Sequence, residues 1–208
     1  MAYSEYKDYG KTQLAKIFNL TIQLSNLFNG KKENENTYQA FQQRINSLAT
    51  RTRIAHTNEA TRLGLLVSPI LVEASVAYNL GLFFEQQVDL AKEETPHLPH
   101  QLNGAWDGAL TLDVLDFAAP IISVVEVKPN KLSDGLGQCL AEMYAILTKF
   151  EQDKVYGIIT DGEVWEFLCL KGEQLLIHNG NCHISNVTEI IGNIGSIAQE
   201  FSCIVQVK

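Results

Sequence analysis

The sequence predicts an α/β fold in which a mixed β-sheet is flanked by helices and preceded by an N-terminal helical extension. Apolar residues recur at helical spacing as far as residue 74, short β-branched runs follow from about residue 80, and one helical segment separates two of these runs. The 208 residues suit one domain with an extension. We expect the helical extension at 1–55 and the domain at 56–208.

The composition excludes several classes of protein. Hydrophobic residues make up 46% and charged residues 19%, which disfavours disorder. We see neither a long uncharged apolar run nor a secretory leader, and therefore expect a cytoplasmic protein without a membrane segment. The four cysteines form no CxxC pair, which argues against a cysteine zinc site or a disulfide scaffold.

The charge is unevenly distributed along the chain. The formal net charge is −8, yet residues 1–62 hold nine Lys/Arg and five Asp/Glu, a balance of +4, and residues 63–208 therefore carry −12. A basic N-terminal third on an acidic body indicates a place where a polyanion could bind. Ordinary solvated helix faces would give the same pattern, so both readings stay open.

The N-terminal pattern predicts three helices. The first spans 11–28 and ends at Asn29-Gly30, because glycine tolerates the left-handed conformation that closes a helix. The second covers 38–48. The third begins near residue 57 and continues to residue 74, with a kink or break at Pro69.

The remaining chain predicts strands that are interrupted by one helix. The run at 121–127 is continuously β-branched or apolar apart from two residues and is typical of a buried central strand. Asp161-Gly162 favours a tight hairpin. We expect strands at 82–88, 109–115, 121–127, 155–160, 164–170 and 175–177, a loop at 91–104, and helices at 133–149 and 186–201.

The residues best suited to a catalytic or metal-binding role lie at the end of the central strand. Side chains alternate along a strand, so Glu126 and Lys128 point to the same face, and Pro129 ends the strand just after them. Two charged groups beside a buried strand are costly without compensation. Asp107 precedes the neighbouring strand, and an antiparallel pairing would bring it towards Glu126. Two converging carboxylates suit Mg²⁺.

This pattern resembles the PD-(D/E)XK nuclease superfamily, whose core is a restriction-endonuclease-like mixed β-sheet. The similarity extends to the N-terminal nuclease domain of type I restriction enzyme restriction subunits and covers roughly residues 56–178. It includes the leading helix with Asn58–Arg62, the helix with Gly135–Gln138, and the hairpin Gly157–Phe167. That hairpin has Asp161-Gly162 where the family usually carries Asn-Gly.

The resemblance implies a metal-dependent reaction. Asp107, Glu126 and the backbone carbonyl of Val127 would bind Mg²⁺ or Mn²⁺, and the reaction would be hydrolysis of a DNA phosphodiester by a metal-activated water, in restriction, defence or repair.

Three other residues receive roles from the resemblance. Lys128 would assist the attacking water, Glu59 would project towards the metal, and Gln138 would contact substrate or Lys128.

DNA is the expected partner, and the basic N-terminal residues would form a wall of the groove that binds it. These residues are Lys7, Lys11, Lys16, Lys31, Lys32, Arg44, Arg51 and Arg53.

Alternatives remain open at this stage. The chain could keep the fold as a binding or assembly module without turnover, for example as a homodimer through its N-terminal helices, or act on nucleotides or another phosphate ester. Asp113 and Asp116 are fallback carboxylates if Asp107 lies far from Glu126. Weaker candidates are a histidine metal pair, a cysteine nucleophile and a base-stacking tryptophan, carried by His97, His100, Cys182-His183, Cys139 and Trp106.

Overall fold

The computed structural model describes residues 3–30, 32–54, 57–129 and 131–206 and shows a mixed α/β architecture. The helices are α1 (Lys11–Ile17), α2 (Glu35–Ile54), α3 (Glu59–Arg62), α4 (Ser68–Tyr78), α5 (Leu136–Lys149) and α6 (Val187–Gln206). A π-helical turn at Leu63–Val67 joins α3 to α4, and 3-10 turns lie at Tyr3–Asp8, Lys92–Glu94, Leu132–Gly135 and Ile184–Asn186.

The strands form one large sheet and one small ribbon. They are β1 (Thr21–Ser25), β2 (Gly81–Phe83), β3 (Gln86–Gln87), β4 (Ala105–Trp106), β5 (Gly108–Thr111), β6 (Ile121–Val127), β7 (Lys154–Thr160), β8 (Val164–Lys171), β9 (Gln174–His178) and β10 (Cys182–His183). The large sheet has the order β1-β9-β8-β7-β6-β5-β2, with β10 beside β8. The ribbon pairs β3 with β4.

The sheet is mixed, as the sequence predicts. β5 pairs antiparallel with β6, whereas β6 and β7 are parallel and are connected by α5. A parallel pair needs such a crossover, because its strands run in the same direction and a tight turn cannot join them. The hairpin at Asp161-Gly162 joins antiparallel β7 and β8, and Gly162 takes the positive φ of 90° that this turn needs.

Helices cover both faces of the sheet, so its central strands are buried on both sides. All seven residues of β6 are buried. Val125 and Val127 pack with α2, α4 and α6 on one face, whereas Val124 packs with α5 and the N-terminal segment on the other. Burial of these apolar side chains is the main force that holds the layers together. The face of α5 is also the one towards which Glu126 points, because strand side chains alternate.

The N-terminal region departs from the predicted helical extension. The helix expected at 11–28 ends at Ile17, and β1 pairs parallel with β9 to become an edge of the large sheet. Asn19 takes a left-handed φ of 52°, which ends the helix and lets the chain extend. Residues 3–30 therefore contribute to the same sheet and core as the later chain, whereas the division at residue 55 stays a prediction.

Two other elements are shorter than the sequence predicts. The strand expected at 82–88 is split into β2 and β3, because Glu85 has a positive φ of 53°. The strand expected at 109–115 ends at Thr111, and Asp113 caps the following turn. The predicted third helix continues through Pro69 but is irregular just before it, since the π-helical turn Leu63–Val67 separates α3 from α4.

One helical stretch within the described residues, Glu59–Tyr78, is apolar and long enough to cross a membrane by composition. Part of this apolar surface is buried in the core, since Leu66, Val67, Ile70 and Leu71 are inaccessible. The absence of a membrane segment stays a prediction. The dimer through the N-terminal helices is also untested, although Tyr6 and Leu14 of that region are buried within the chain itself.

Candidate functional site

The end of β6 places a fully buried carboxylate beneath α5. Glu126 has 0% of its surface exposed, and the side chains of Val125 and Val127 take the opposite face. Gly135 lies directly above it, where a Cβ would sit 2.7 Å from Ile159 Cγ2 and 3.1 Å from Lys128 Cγ. The absence of a side chain at Gly135 therefore leaves room for the charged pair at the strand end.

The antiparallel register brings Asp107 to the same strand end. Gly108 pairs with Val125, so the preceding residue, Asp107, lies opposite Glu126. The backbone N–H of Val127 donates a hydrogen bond of 2.7 Å to Asp107 Oδ2. The fallback carboxylates are therefore not needed, because the chain brings together the two acids that the sequence favours.

Lys128 connects the buried carboxylate to the first core helix. Its ammonium contacts Glu126 Oε1 and lies 3.9 Å from Glu59 Oε2. Glu59 occupies the first turn of α3, which Asn58 caps by accepting a hydrogen bond of 2.9 Å from the N–H of Thr61. The cap fixes the start of the helix and so positions Glu59 at the rim of the site.

Gln138 and a carboxyl that sequence reasoning did not assign complete the inner wall. The Gln138 amide donates to Glu126 Oε2 at 2.9 Å and to Glu142 Oε1 at 3.2 Å. Gln138 and Glu142 are four residues apart on α5 and therefore share a helix face. Glu142 is fully buried, like Glu126. The i, i+4 spacing was visible in the sequence, but only the packing of α5 shows that this face points at Glu126.

Burial and mutual repulsion disfavour the charged forms of these acids. Burial and the charge of Glu59 raise the pKa of Asp107 to about 6, despite the hydrogen bond from Val127. Burial and the nearby Asp107 raise the pKa of Glu126. Burial and the charge of Glu126 raise the pKa of Glu142 well above its ordinary value. The group therefore holds protons, or needs added positive charge, at neutral pH.

Lys128 supplies part of that positive charge. Burial acts to lower the pKa of Lys128, but the attraction of Glu126 and Glu59 outweighs it, and the pKa lies above its ordinary value. Lys128 is therefore an ammonium in this arrangement, since its hydrogen-bonded partner stabilises the charged form.

The donor set fits a cation that binds few protein ligands. Among the described ranges, no three His, Cys, Asp or Glu side chains are arranged as a complete metal site. Mg²⁺ commonly uses one or two carboxylates with water and substrate phosphate as the other ligands. Asp107 and Glu126, with raised pKa values and too little positive charge nearby, fit this requirement. The carbonyl of Val127 as a further ligand stays a prediction.

A cavity of about 260 Å³ forms the mouth of the site. Its lining includes Glu59, Lys128 and Gln138 from the core and, from the N-terminal region, Ser4 and Lys7. Among the residues whose side chains the structure describes, Lys7 is the one member of the predicted basic wall that lines this cavity. Lys31 lies outside the described residues, as does the side chain of Arg53.

The weaker candidates have structural roles. His100 contacts Glu5 at 2.6 Å, whereas His97 lies 3.3 Å from Tyr144, so the two histidines do not form a metal pair. The remaining candidates are accounted for by local packing or capping. Cys139 and Trp106 are buried in the core, Cys182 accepts a hydrogen bond from Asn193, His183 caps the following 3-10 turn, Asp113 caps an exposed turn, and Asp116 is exposed.

A scan against protein-family models and a search of curated proteins both give no match to this chain. The likeness to the nuclease superfamily therefore depends on the residues and their arrangement, and membership of that superfamily stays a prediction.

The raised carboxyl pKa values predict a pH dependence of stability. In EDTA, the folded protein holds protons that the unfolded chain has released, so the free energy of unfolding falls as pH rises from about 4 to 6 through the shift of Asp107. Glu126 and Glu142, whose pKa values are also raised, add to this fall from about pH 4.5 and continue it at higher pH. One pKa unit is worth about 1.4 kcal/mol, so Asp107 alone contributes on the order of 3 kcal/mol.

Urea unfolding at a series of pH values measures this slope. Asp107→Asn should flatten the slope between about pH 4 and 6, whereas Asp113→Asn, at an exposed acid outside the site, should not. A wild-type stability that rises over this range would contradict the raised pKa values.

Glu142 gives a second prediction. Glu142→Gln is shaped like the protonated acid and should be at least as stable as the wild type at pH 8, because it removes the free-energy cost of protonating this buried acid on folding. Glu142→Ala leaves a cavity and removes one of the two acceptors of the Gln138 amide, and should lower the free energy of unfolding by about 1–3 kcal/mol. Chemical unfolding checks both values, and a strongly destabilised glutamine variant would refute a neutral Glu142.

Proposed function

We propose that the protein is a Mg²⁺- or Mn²⁺-dependent nuclease with a restriction-endonuclease-like core, which hydrolyses DNA phosphodiester bonds. The supporting observation is the convergence of Asp107, Glu126 and Lys128 at one end of the sheet, with Glu126 fully buried. Such a buried charged group adds little to stability compared with apolar packing, so a catalytic role explains its position better than a structural one.

Each residue has a distinct part in this proposal. Asp107 and Glu126 hold the cation, which when bound would neutralise charge on the scissile phosphate and increase the acidity of water. Gln138 fixes the Glu126 carboxylate by donating to Oε2, leaving Oε1 on the side of Lys128.

Lys128 acts as an ammonium that orients water and offsets phosphate charge. Its raised pKa argues against removal of a proton from water while it is paired with Glu126. Glu59 lies 3.9 Å from this ammonium and is partly exposed at the mouth, where it can receive a hydrogen bond from water.

A DNA-cleaving enzyme of this kind would act in the cytoplasm, in restriction, defence or repair. The acidic body does not oppose binding to DNA, because binding needs a positive region only where the phosphates lie, and a bound cation contributes to that region.

A second candidate function is a binding or assembly module that keeps the fold without turnover. One observation favours it: both acids already have protein partners, since Lys128 contacts Glu126 and the N–H of Val127 donates to Asp107. A divalent cation would have to replace or share these contacts.

A cleavage assay tests the enzyme directly. We expect wild-type protein with Mn²⁺ to degrade DNA in a mixture of DNA and RNA substrates, and Glu126→Ala and Lys128→Ala to lower the rate at least 100-fold, because each removes a group that stabilises transition-state charge. Asp113→Ala is the matched control and should keep the wild-type rate. Equal activity in all four preparations would indicate a contaminating nuclease.

Calorimetry with Mn²⁺ separates the two functions. The nuclease should bind the cation, and Asp107→Asn should weaken that binding at least tenfold, because one of two carboxylate ligands is lost. Absence of cation binding together with absence of cleavage would favour the assembly module.

A further inference from the structure

The N-terminal 3-10 helix, Tyr3–Asp8, is fixed over α5 next to the site. A Cβ on Gly137 would lie 2.0 Å from the carbonyl oxygen of Tyr6, so glycine permits this close approach of backbone to helix. The hydroxyl of Tyr6 donates to the carbonyl of His100 at 2.7 Å, and that of Tyr3 donates to the carbonyl of Val88 at 2.8 Å. Both rings are buried, so the segment is anchored at Tyr3 and at Tyr6.

This anchoring places Lys7 at the mouth of the site. Tyr6 points into the core, and the next residue, Lys7, is exposed and lines the same cavity as Lys128. Lys131, which follows β6 in the chain, is also exposed and lines this cavity. Within the described side chains, neither Lys7 nor Lys131 forms an ion pair, so both ammonium groups remain available to a ligand.

The lining of the cavity is positive on balance, because Lys7, Lys128 and Lys131 outnumber Glu59 and Asp134. Glu59 is directed to Lys128, at 3.9 Å. Asp134 accepts a hydrogen bond from Ser133 Oγ at 3.4 Å and lies at the exposed rim. Two lysines from different segments, neither with an ion pair among the described side chains, therefore line the same cavity as Lys128.

We propose that Lys7 and Lys131 bind the DNA backbone at phosphates next to the reacting one, so that the N-terminal 3-10 helix forms part of the substrate site. This inference rests on the proposed nuclease function and names the residues that hold its substrate. DNA is the ligand that the arrangement favours, because a chain of evenly spaced phosphates can contact both ammonium groups while one phosphate reaches Lys128.

Lys16 provides a matched control. It is an exposed lysine of the same N-terminal region, but it lines a cavity with Glu173 and Gln174. Gln174 pairs with Lys171, at the C-terminal end of β8. Near the other end of β8, Trp165 pairs with Thr160, which in turn pairs with Val127 at the site. The two ends of β8 are roughly 20 Å apart. Lys16 therefore lies at the opposite end of the sheet from the site.

The test is the salt dependence of binding to a fluorescein-labelled DNA duplex in Ca²⁺, followed by anisotropy, with intact DNA confirmed on a gel. Each lost phosphate contact should lower the slope of log affinity against log salt concentration by about 1. We expect Lys7→Ala and Lys131→Ala each to lose about one unit of slope and severalfold in affinity. Lys7→Arg and Lys16→Ala should bind like the wild type. Urea unfolding confirms that Lys7→Ala remains folded.

The outcomes separate this inference from the nuclease proposal. An unchanged slope in Lys7→Ala, or an equal loss in Lys16→Ala, overturns the inference, and the nuclease proposal stands if Glu126-dependent cleavage persists. Lys7-dependent DNA binding without any cleavage supports the binding role and refutes the nuclease. A wild-type protein that neither binds nor cleaves DNA refutes both.

Discussion

The buried carboxylate of Glu126 is the constraint on which the rest of the site depends. An acid with no exposed surface must be matched by positive charge, by hydrogen bonds or by a proton. Lys128 supplies positive charge, and the Gln138 amide supplies a hydrogen bond. Because the neighbouring Glu142 is a second buried acid, a proton is also needed at neutral pH. Replacing such a group with an apolar side chain is often neutral or stabilising, so selection for stability alone does not explain it.

The topology of the sheet determines which residues can surround this carboxylate. Antiparallel pairing with β5 places Asp107 beside the end of β6, and the parallel neighbour β7 requires a crossover. That crossover contains α5, which returns over the same face and brings Gln138 and Glu142 onto Glu126. The order of elements along the chain thus produces a cluster from segments that are far apart in sequence.

Local patterns were sufficient for the centre of the site but not for its surroundings. The β-branched run, its alternation and Pro129 predicted Glu126 and Lys128 on one face, and an assumed antiparallel pair predicted Asp107 beside them. β1 was missed because apolar spacing in 11–28 fits a helix, and its true state is decided by pairing with β9. Glu142 and Lys7 were not distinguished from other acids and lysines, since only the packing on α5 places them at the site.

The imbalance of charge at the site links its stability to its function. Asp107, Glu126 and Glu142 repel one another, and one paired ammonium does not offset three ionised acids. At neutral pH the cluster must therefore retain protons or gain a cation, and a divalent cation would release those protons as it binds. Cation binding would then stabilise the fold most at high pH, where the acids are ionised. A strand end that is costly when its acids are ionised becomes favourable when they keep their protons or, in the proposed nuclease, when they hold a divalent cation.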